Sequence, residues 1–500
     1  MTRRFSIAAV AAAALSLTAG AAVAQDFRAL ARQDLQTAHD ELAANHPAAV
    51  IPGQPSADFR AWIDAGLTES LALVNRVNSG DSHAYLMRYY AAGFRDSNIS
   101  IYPTYEGLGP YFGTSWAGFT TGWRGGKYVV TYVKPGLRGR SIPTVGDTVL
   151  SCNEIPIEQF ARSKLDRWEG DLDTEAGRVS SAPYLTWNRN NPFVNGVPSV
   201  CEFQTGTRRP RSIVLAPVIP FAPADLEAAY RATVYTAPAT PLSIETVNGR
   251  PWINVHSFAD AAGWDAFNTL VESQAATLQG PQGFVLDLRA ARGSAAYNST
   301  ARGYGLANRI WSPEFTASRQ PAGGAITYRA SQGNRDWFVT ALGLMQGDAA
   351  FAANNPDMIT QTQEIIAAFD AAIAAGQPTF QLQGRPVTPD TGTPNPVQGP
   401  VVVLVDGGCS GGCLDTLDLV SKLPNVRIVG ATTATDSIFI EQTNRRLPSN
   451  YAELSYGHKA WTARPRPNNT PYAPEGALAY TGNPTDEAAV RAWVGTLFGG

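Results

Sequence analysis

The feature that most constrains the fold is a strand pattern that breaks into a glycine-rich turn and continues as a helical pattern. Four valines and one leucine occupy Val401–Val405. Such an apolar run predicts a strand buried on both faces, as in the middle of a covered sheet. Four glycines then surround Ser410, and apolar residues recur at helical spacing until Pro424. The pattern therefore places Ser410 on a turn between a strand and a helix.

A serine on such a turn has two interpretations. Free backbone N–H groups and the positive end of the helix can stabilise an oxyanion on a substrate, and glycines let a substrate approach the backbone closely. Ser410 is then a nucleophile. Alternatively, the segment is a tight turn that needs glycine and places a serine at the helix N-cap. The turn alone leaves both interpretations open.

A third interpretation comes from a short pattern around the same serine. Residues 408–412 satisfy Gly-x-Ser-x-Gly, the nucleophile turn of α/β-hydrolases, and Asp436 and His458 follow in the chain order of that class. The pattern occurs often by chance in a chain that contains 46 glycines. An esterase of the α/β-hydrolase type is therefore an alternative function.

The start of the chain has the pattern of a secretory signal peptide. Two arginines precede an apolar run that ends in Ala22-Val23-Ala24, a small-x-small cleavage site before Gln25. The run is too short to span a bilayer. We therefore expect cleavage between Ala24 and Gln25 and a periplasmic or secreted bacterial protein without a membrane span. The formal net charge of −3 gives no indication of a nucleic-acid partner.

The four cysteines are an even number in a chain that we expect to be exported. Two disulfides can therefore form, one between Cys152 and Cys201 and one between Cys409 and Cys413. A metal site at Cys409 and Cys413 is not expected, because no second pair of ligands has suitable spacing.

The 500 residues divide into segments of different pattern. After the signal peptide (1–24), helical spacing predicts a helical unit at 25–110 and short strands predict a β domain at 111–220. Strands and helices then alternate over 221–500, which indicates a layered α/β domain. A helical and Pro-rich insert at 315–399 is a candidate lid. The predicted class is a multidomain α/β protein.

The β domain contains a segment, residues 145–153, that resembles the Gly-Asp-x-Ile-Leu turn of PDZ domains. PDZ domains extend a sheet edge with an incoming peptide and hold its C-terminal carboxylate. The resemblance implies that the β domain binds polypeptide tails.

Taken together, the motifs resemble the tail-specific (C-terminal processing, tricorn-core-like) family of serine peptidases. The resemblance implies a crotonase-like α/β core and cleavage of peptide bonds without a metal or a cofactor. It rests on the order of motifs along the chain. The helical start is followed by a turn (96–98), the PDZ-like segment (145–153), a Leu-Asp-Leu-Arg strand (286–289), the Val-rich strand with the serine turn (401–413), a further segment (429–433) and a polar tail (447–450 and 464–472).

The family uses a serine nucleophile, a Ser-His pair and a glutamate. In this chain Ser97 matches the serine of the pair, but Asn98 stands at the histidine position, and asparagine cannot act as a general base. His83, which also follows a serine, is the candidate substitute. Glu441 falls where the orienting acid is expected. Ser410 is the candidate nucleophile.

Two departures from the family pattern affect the reacting centre. The related exported branch reads Cys-x-Ser-x-Cys, which puts its nucleophile at Gly411, one residue after Ser410. The glycine-rich oxyanion loop is reduced to Ala290-Ala291-Arg292-Gly293, in which Gly293 and Gly411 remain as candidate backbone donors. Three functions therefore remain open: an exported peptidase acting on polypeptide tails or unfolded proteins, a degenerate relative that binds polypeptides or a small apolar ligand, and the esterase.

Overall fold

The computed structural model describes residues 26–104, 114–137, 142–215, 218–259, 261–292, 299–320, 325–383, 388–462 and 464–499. Within these residues helices and sheets are mixed in several layers, so the predicted multidomain α/β class is confirmed. None of the described helices combines the length and the apolar character needed to cross a bilayer.

The described chain begins with three helices. Asp26 caps the first helix by accepting the N–H groups of Arg28 and Ala29, and Ser79 and Ser82 form a capping box at the third. These helices do not form a core of their own, because their apolar faces pack against the β18–β19 hairpin defined below. The elements are α1 (Phe27–Asn45), α2 (Ala57–Leu73), α3 (Gly80–Ala92) and the strand β1 (Ser100–Pro103).

The β domain is built on one antiparallel sheet in the order β3-β4-β5-β8-β9, with two helices against it. Cys152 and Cys201 are register partners on neighbouring strands and form a disulfide with a Cα–Cα distance of 4.1 Å. The elements are β2 (Ser115–Trp116), β3 (Phe119–Arg124), β4 (Lys127–Val133), β5 (Thr148–Cys152), β6 (Ile155–Pro156), α4 (Ile157–Leu165), α5 (Glu175–Ser181), β7 (Trp187–Asn188), β8 (Val200–Gln204), β9 (Arg211–Val214), β10 (Ile219–Pro220) and α6 (Pro223–Arg231).

The α/β core contains two sheets. The first, in the order β11-β12-β13-β16-β17, is parallel from β12 to β17; the second is antiparallel and joins β1, β14, β15, β18 and β19. The elements are β11 (Leu242–Val247), β12 (Arg250–Val255), α7 (Ala261–Ser273), α8 (Ala275–Leu278), β13 (Phe284–Asp287), α9 (Ser299–Trp311), α10 (Pro313–Ala317), β14 (Ala325–Arg329), α11 (Gln332–Gly347), α12 (Ala349–Asn354), α13 (Pro356–Ala374), β15 (Thr379–Gln383), β16 (Val401–Val405), α14 (Gly412–Val420), β17 (Val426–Gly430), β18 (Phe439–Arg446), β19 (Ala452–Trp461) and α15 (Glu487–Thr496).

The strand β16 is buried on both faces, as its sequence predicts. Val401, Val403 and Val405 pack with α7, α9 and α14 on one face. Val402 and Leu404 pack with α15 on the other face. Because β13, β16 and β17 are parallel, their carboxyl ends meet at one edge of the sheet, where ligands bind in open α/β sheets.

The insert at 315–399 occupies a different place from the expected lid. Its strands β14 and β15 extend the antiparallel sheet beside β19, with Tyr328 opposite Lys459. The side chain of Asn334 on α11 donates to the carbonyl of Asn45 at the end of α1. The insert therefore supports the helical unit, and none of its described residues lines the cavity at the carboxyl edge.

Candidate functional site

The serine turn after β16 is tied to the turn after β13. The Asp406 carboxylate accepts the N–H groups of Gly408 and Ala290, each at 2.8 Å. The two turns lie so close that a Cβ added at Gly408 would be 2.6 Å from the Cα of Ala290, so glycine is required at 408. Ala290 itself has φ +53°, a left-handed conformation that is energetically unfavourable for alanine.

Ser410 lies one residue before the N-cap of α14, and this N-cap is Gly411. The Ser410 N–H faces the carbonyl of Ala291 at 3.4 Å. Gly411 has φ +55° and ψ −120°, a conformation that glycine adopts easily and other residues adopt under strain. The sharp point of the turn is therefore Gly411, the position at which the family resemblance expects the nucleophile. Ser410 precedes it.

A disulfide closes the serine turn. Cys409 and Cys413 are bonded with a Cα–Cα distance of 5.3 Å, and neither is exposed. The bond brackets Ser410, Gly411 and Gly412 at the start of α14. No group of three or more metal-ligating side chains occurs among the described residues.

Ser97 and Asn98 reach the same part of the molecule as Ser410. The Ser97 hydroxyl donates to the Thr435 carbonyl at 3.2 Å, and the N–H of the preceding Ala434 donates to the Cys409 carbonyl at 3.2 Å. The Asn98 amide donates to the Phe439 carbonyl at 2.8 Å. Segment 433–439 therefore joins these residues to the serine turn, and the Asn98 side chain is used to hold it.

His83 lies in the core of the helical unit. Its Nε2 is 2.9 Å from an oxygen of Asp34, and both side chains are fully buried. Asp34 also accepts the hydroxyl and the N–H of Ser449. In this arrangement His83 is part of a buried network between α1, α3 and the β18–β19 turn, and it makes no contact with Ser410.

The other four histidines also have partners away from Ser410. His39 contacts Asp40 and Asp64, and His46 stacks on Phe59. His256 faces the Arg289 carbonyl, and His458 is enclosed by Tyr328, Trp337 and Phe338. Burial lowers the pKa of His46 to about 3 and that of His458 well below its usual value. All five histidines lie in described residues, and none reaches the Ser410 hydroxyl.

The two remaining acids also make other contacts. Glu441 is exposed on β18 and pairs with Lys459 at 2.6 Å. Asp436 accepts Arg464 at 2.7 Å and is also bound by Arg466. Asp436 is therefore a partner of arginine rather than of His458, and the Ser–acid–histidine arrangement that an esterase needs is not formed by these residues.

A cluster of acids and arginine lies behind the serine turn, and the sequence patterns did not point to it. Arg466 contacts Asp415, Asp418 and Asp436. Burial, together with the charge of Asp436, raises the pKa of Asp415 to about 6. Burial also raises the pKa of Asp96, beside Ser97, to about 6. The Arg-Pro-Arg of residues 464–466 is the one sequence signal that could have indicated this cluster.

A cavity of about 140 Å³ opens at the carboxyl edge of the parallel sheet, between the β domain and the α/β core. Gly407, Gly408 and Ala290 line it from the core, but Ser410 does not. The β domain contributes the β3–β4 turn and α5. Gly293, the candidate oxyanion residue, lies outside the described residues.

The solved structures that resemble this chain support the expected fold. The crystal structure of mature CPAF has a TM-score of 0.58 at 11% sequence identity, and the match covers 95% of this chain and 96% of that chain. Mature CPAF complexed with lactacystin scores 0.57 at 12% identity, covering 95% and 97%. The photosystem II D1 C-terminal processing protease scores 0.30 at 10% identity, covering 86% and 87%. At such a score the overlap carries no argument by itself.

No protein-family model matches the sequence, and no curated protein matches it significantly. The match to mature CPAF shows the fold of this chain, and it supports the resemblance to the tail-specific protease family at the level of the fold.

Proposed function

We propose that the protein is an exported relative of the tail-specific peptidases that binds polypeptide tails without hydrolysing them through Ser410. The fold supports a peptidase-like function. The observation that argues against efficient catalysis is the environment of Ser410. No histidine reaches its hydroxyl, and Gly411 occupies the sharp point of the turn. A serine without a positioned base is a weak nucleophile.

The loss of the base has a large expected effect on the rate. General-base assistance contributes about 10²–10⁴-fold to a hydrolytic step. Asn98 stands at the family histidine position, and its amide is engaged with the Phe439 carbonyl. The pair of Ser97 and Asn98 therefore supports a role in holding segment 433–439 rather than in proton transfer.

Polypeptide binding is supported by the cleft that the serine turn borders. The β domain, whose residues 145–153 resemble a PDZ turn, supplies one wall of the cavity, and the carboxyl edge of the parallel sheet supplies the other. Export is supported by the signal-peptide pattern before Gln25 and by the two disulfides, which persist in oxidising compartments.

A second candidate is slow hydrolysis by Ser410 itself. The residue is only half-buried, and it lies directly before the N-terminus of α14, where the helix dipole favours a developing negative charge. In this case another group would have to accept the serine proton.

The two candidates are separated by one experiment on the purified protein and the Ser410→Ala variant. A fluorescent, permanently unfolded polypeptide is titrated for binding by anisotropy and incubated for cleavage. We expect equal binding by both proteins and no cleavage that depends on Ser410. Cleavage that disappears in Ser410→Ala would establish the second candidate, and the absence of binding to any unfolded polypeptide would refute the proposed function.

A further inference from the structure

The cavity at the carboxyl edge is of a size that takes one apolar side chain. Its volume of about 140 Å³ is close to the roughly 150 Å³ of an engineered protein cavity that binds benzene. Much of its wall is aromatic or aliphatic, with contributions from Trp123, Val179, Tyr230, Tyr235 and Val405. A phenyl or isobutyl group therefore fits the space and the chemistry of the wall.

Two arginines line the cavity without an acidic partner. Neither Arg124 nor Arg292 has a carboxylate within 4.0 Å among the described residues. Arg124 donates instead to the carbonyls of Trp123, at 3.0 Å, and Thr233, and burial lowers its pKa to about 10. Arg292 is exposed at the mouth and lies beside the Tyr230 phenol. Both guanidinium groups therefore keep donors available for an anion.

The two arginines meet on one short segment. The N–H of Thr233 donates to the carbonyl of Tyr230 at 3.0 Å, so these residues are one helical turn apart at the end of α6. Arg124 holds Thr233 and Arg292 lies beside Tyr230. Both guanidinium groups therefore lie against the end of α6.

The other charged residues of the lining are already engaged or exposed. Arg289 is paired with Asp287 at 2.6 Å and with Glu487 at 3.0 Å. Asp406 accepts two backbone N–H groups on the core side of the cavity, and Glu175 is exposed on α5. Among the described lining residues, Arg124 and Arg292 are therefore the cations without an acidic partner.

We propose that this cavity binds a carboxylate attached to a single apolar group, and that its source is the free C-terminus of a polypeptide whose last side chain is apolar. Arg124 and Arg292 hold the carboxylate, and the aromatic wall takes the side chain. The inference rests on the proposed function and deepens it, because it places tail recognition in the cavity between the domains rather than at the sheet edge that the PDZ resemblance implies.

The test is calorimetric titration of the purified protein with three ligands. An N-acetylated pentapeptide ending in phenylalanine is used as the free acid and as the C-terminal amide, and 3-phenylpropanoate represents a small acid of the same chemistry. The variants are Arg292→Gln, Arg124→Gln and the control Arg208→Gln, an exposed arginine of the same β domain. Arg292 is exposed, so this variant is expected to fold even if Arg124→Gln does not.

We expect amidation and Arg292→Gln each to weaken binding about tenfold to hundredfold, the effect of losing a charge-assisted hydrogen bond. Arg208→Gln should leave binding unchanged. Arg292-dependent binding of 3-phenylpropanoate without binding of either peptide would support the carboxylate site and refute the polypeptide source together with the proposed function.

Two results would overturn the inference. The first is equal affinity for the acid and the amide peptide. The second is a loss of affinity on amidation while Arg292→Gln binds the acid peptide as tightly as Arg208→Gln. Either result means that the arginine pair does not hold the carboxylate. Polypeptide binding as such would stand in either case. Absence of binding by all three ligands at millimolar concentration would refute both.

Discussion

The buried pair of His83 and Asp34 gives the sharpest prediction about a residue that the sequence suggested as a catalytic base. If His83 is structural, its replacement by alanine destabilises the fold. Breaking a fully buried pair costs about 3–5 kcal/mol. Asp34 keeps two donors from Ser449 after the change, so we expect the lower end, about 3 kcal/mol.

The chain supplies a matched control for this experiment. His39 is also 2.9 Å from an aspartate, Asp64, but that aspartate is 89% exposed, whereas Asp34 is 0% exposed. Exposed pairs contribute about 0.5 kcal/mol or less. His39 also contacts the exposed Asp40, but neither of its partners is buried. His39→Ala should therefore lose at least 2 kcal/mol less stability than His83→Ala.

Equilibrium unfolding in urea measures both variants, and Trp62 in the same helical unit provides a fluorescent signal. Equal losses of stability for His83→Ala and His39→Ala would refute the burial argument. A fluorophosphonate adduct on Ser410 of the unaltered protein that is lost in His83→Ala at unchanged stability would assign His83 to catalysis and contradict the structural role.

Two further predictions concern the disulfides and pH. The Cys152–Cys201 bond closes a loop of 49 residues, and the Cys409–Cys413 bond closes a loop of 4. Replacing both cysteines by alanine should lower the free energy of unfolding in urea by about 4 kcal/mol for the first bond and about 2 kcal/mol for the second. Equal losses would contradict the loop-entropy argument. Burial raises the pKa of Asp415 to about 6, above the usual value near 4, so the folded protein holds this proton more tightly than the unfolded chain. Its contribution to stability is therefore present below pH 4 and is lost as the pH rises to 6. Asp415→Asn should show a smaller fall in the urea midpoint between pH 4.5 and 7 than the unaltered protein, and an equal or larger fall would refute this sign.

The sequence predicted the elements whose pattern is local. The strand β16 follows from a continuous apolar run and the helix α14 from helical spacing, all within about 20 residues, and both elements occur in the structure. The helical pattern near the start of the chain corresponds to α1, α2 and α3. In each case the pattern of apolar side chains along one element specifies that element.

The features that the sequence did not predict depend on contacts between distant segments. The strands β14 and β15 lie in an insert with helical patterns. They pair with each other, and β14 joins them to the larger sheet by pairing with β19, more than 100 residues after β14. The cavity arises where the β domain meets the carboxyl edge of the parallel sheet. The pairing of His83 with Asp34 joins residues 49 positions apart. No local pattern specifies such partners.

The central claim is that Ser410 lacks a base and is therefore unreactive, and active-site labelling tests it most directly. The purified protein and Ser410→Ala are incubated with a serine-directed fluorophosphonate, and adduct formation is followed by intact mass, with an active serine hydrolase as reference. We expect no adduct on either protein under conditions that label the reference completely. A single adduct on the unaltered protein that is absent from Ser410→Ala would contradict it.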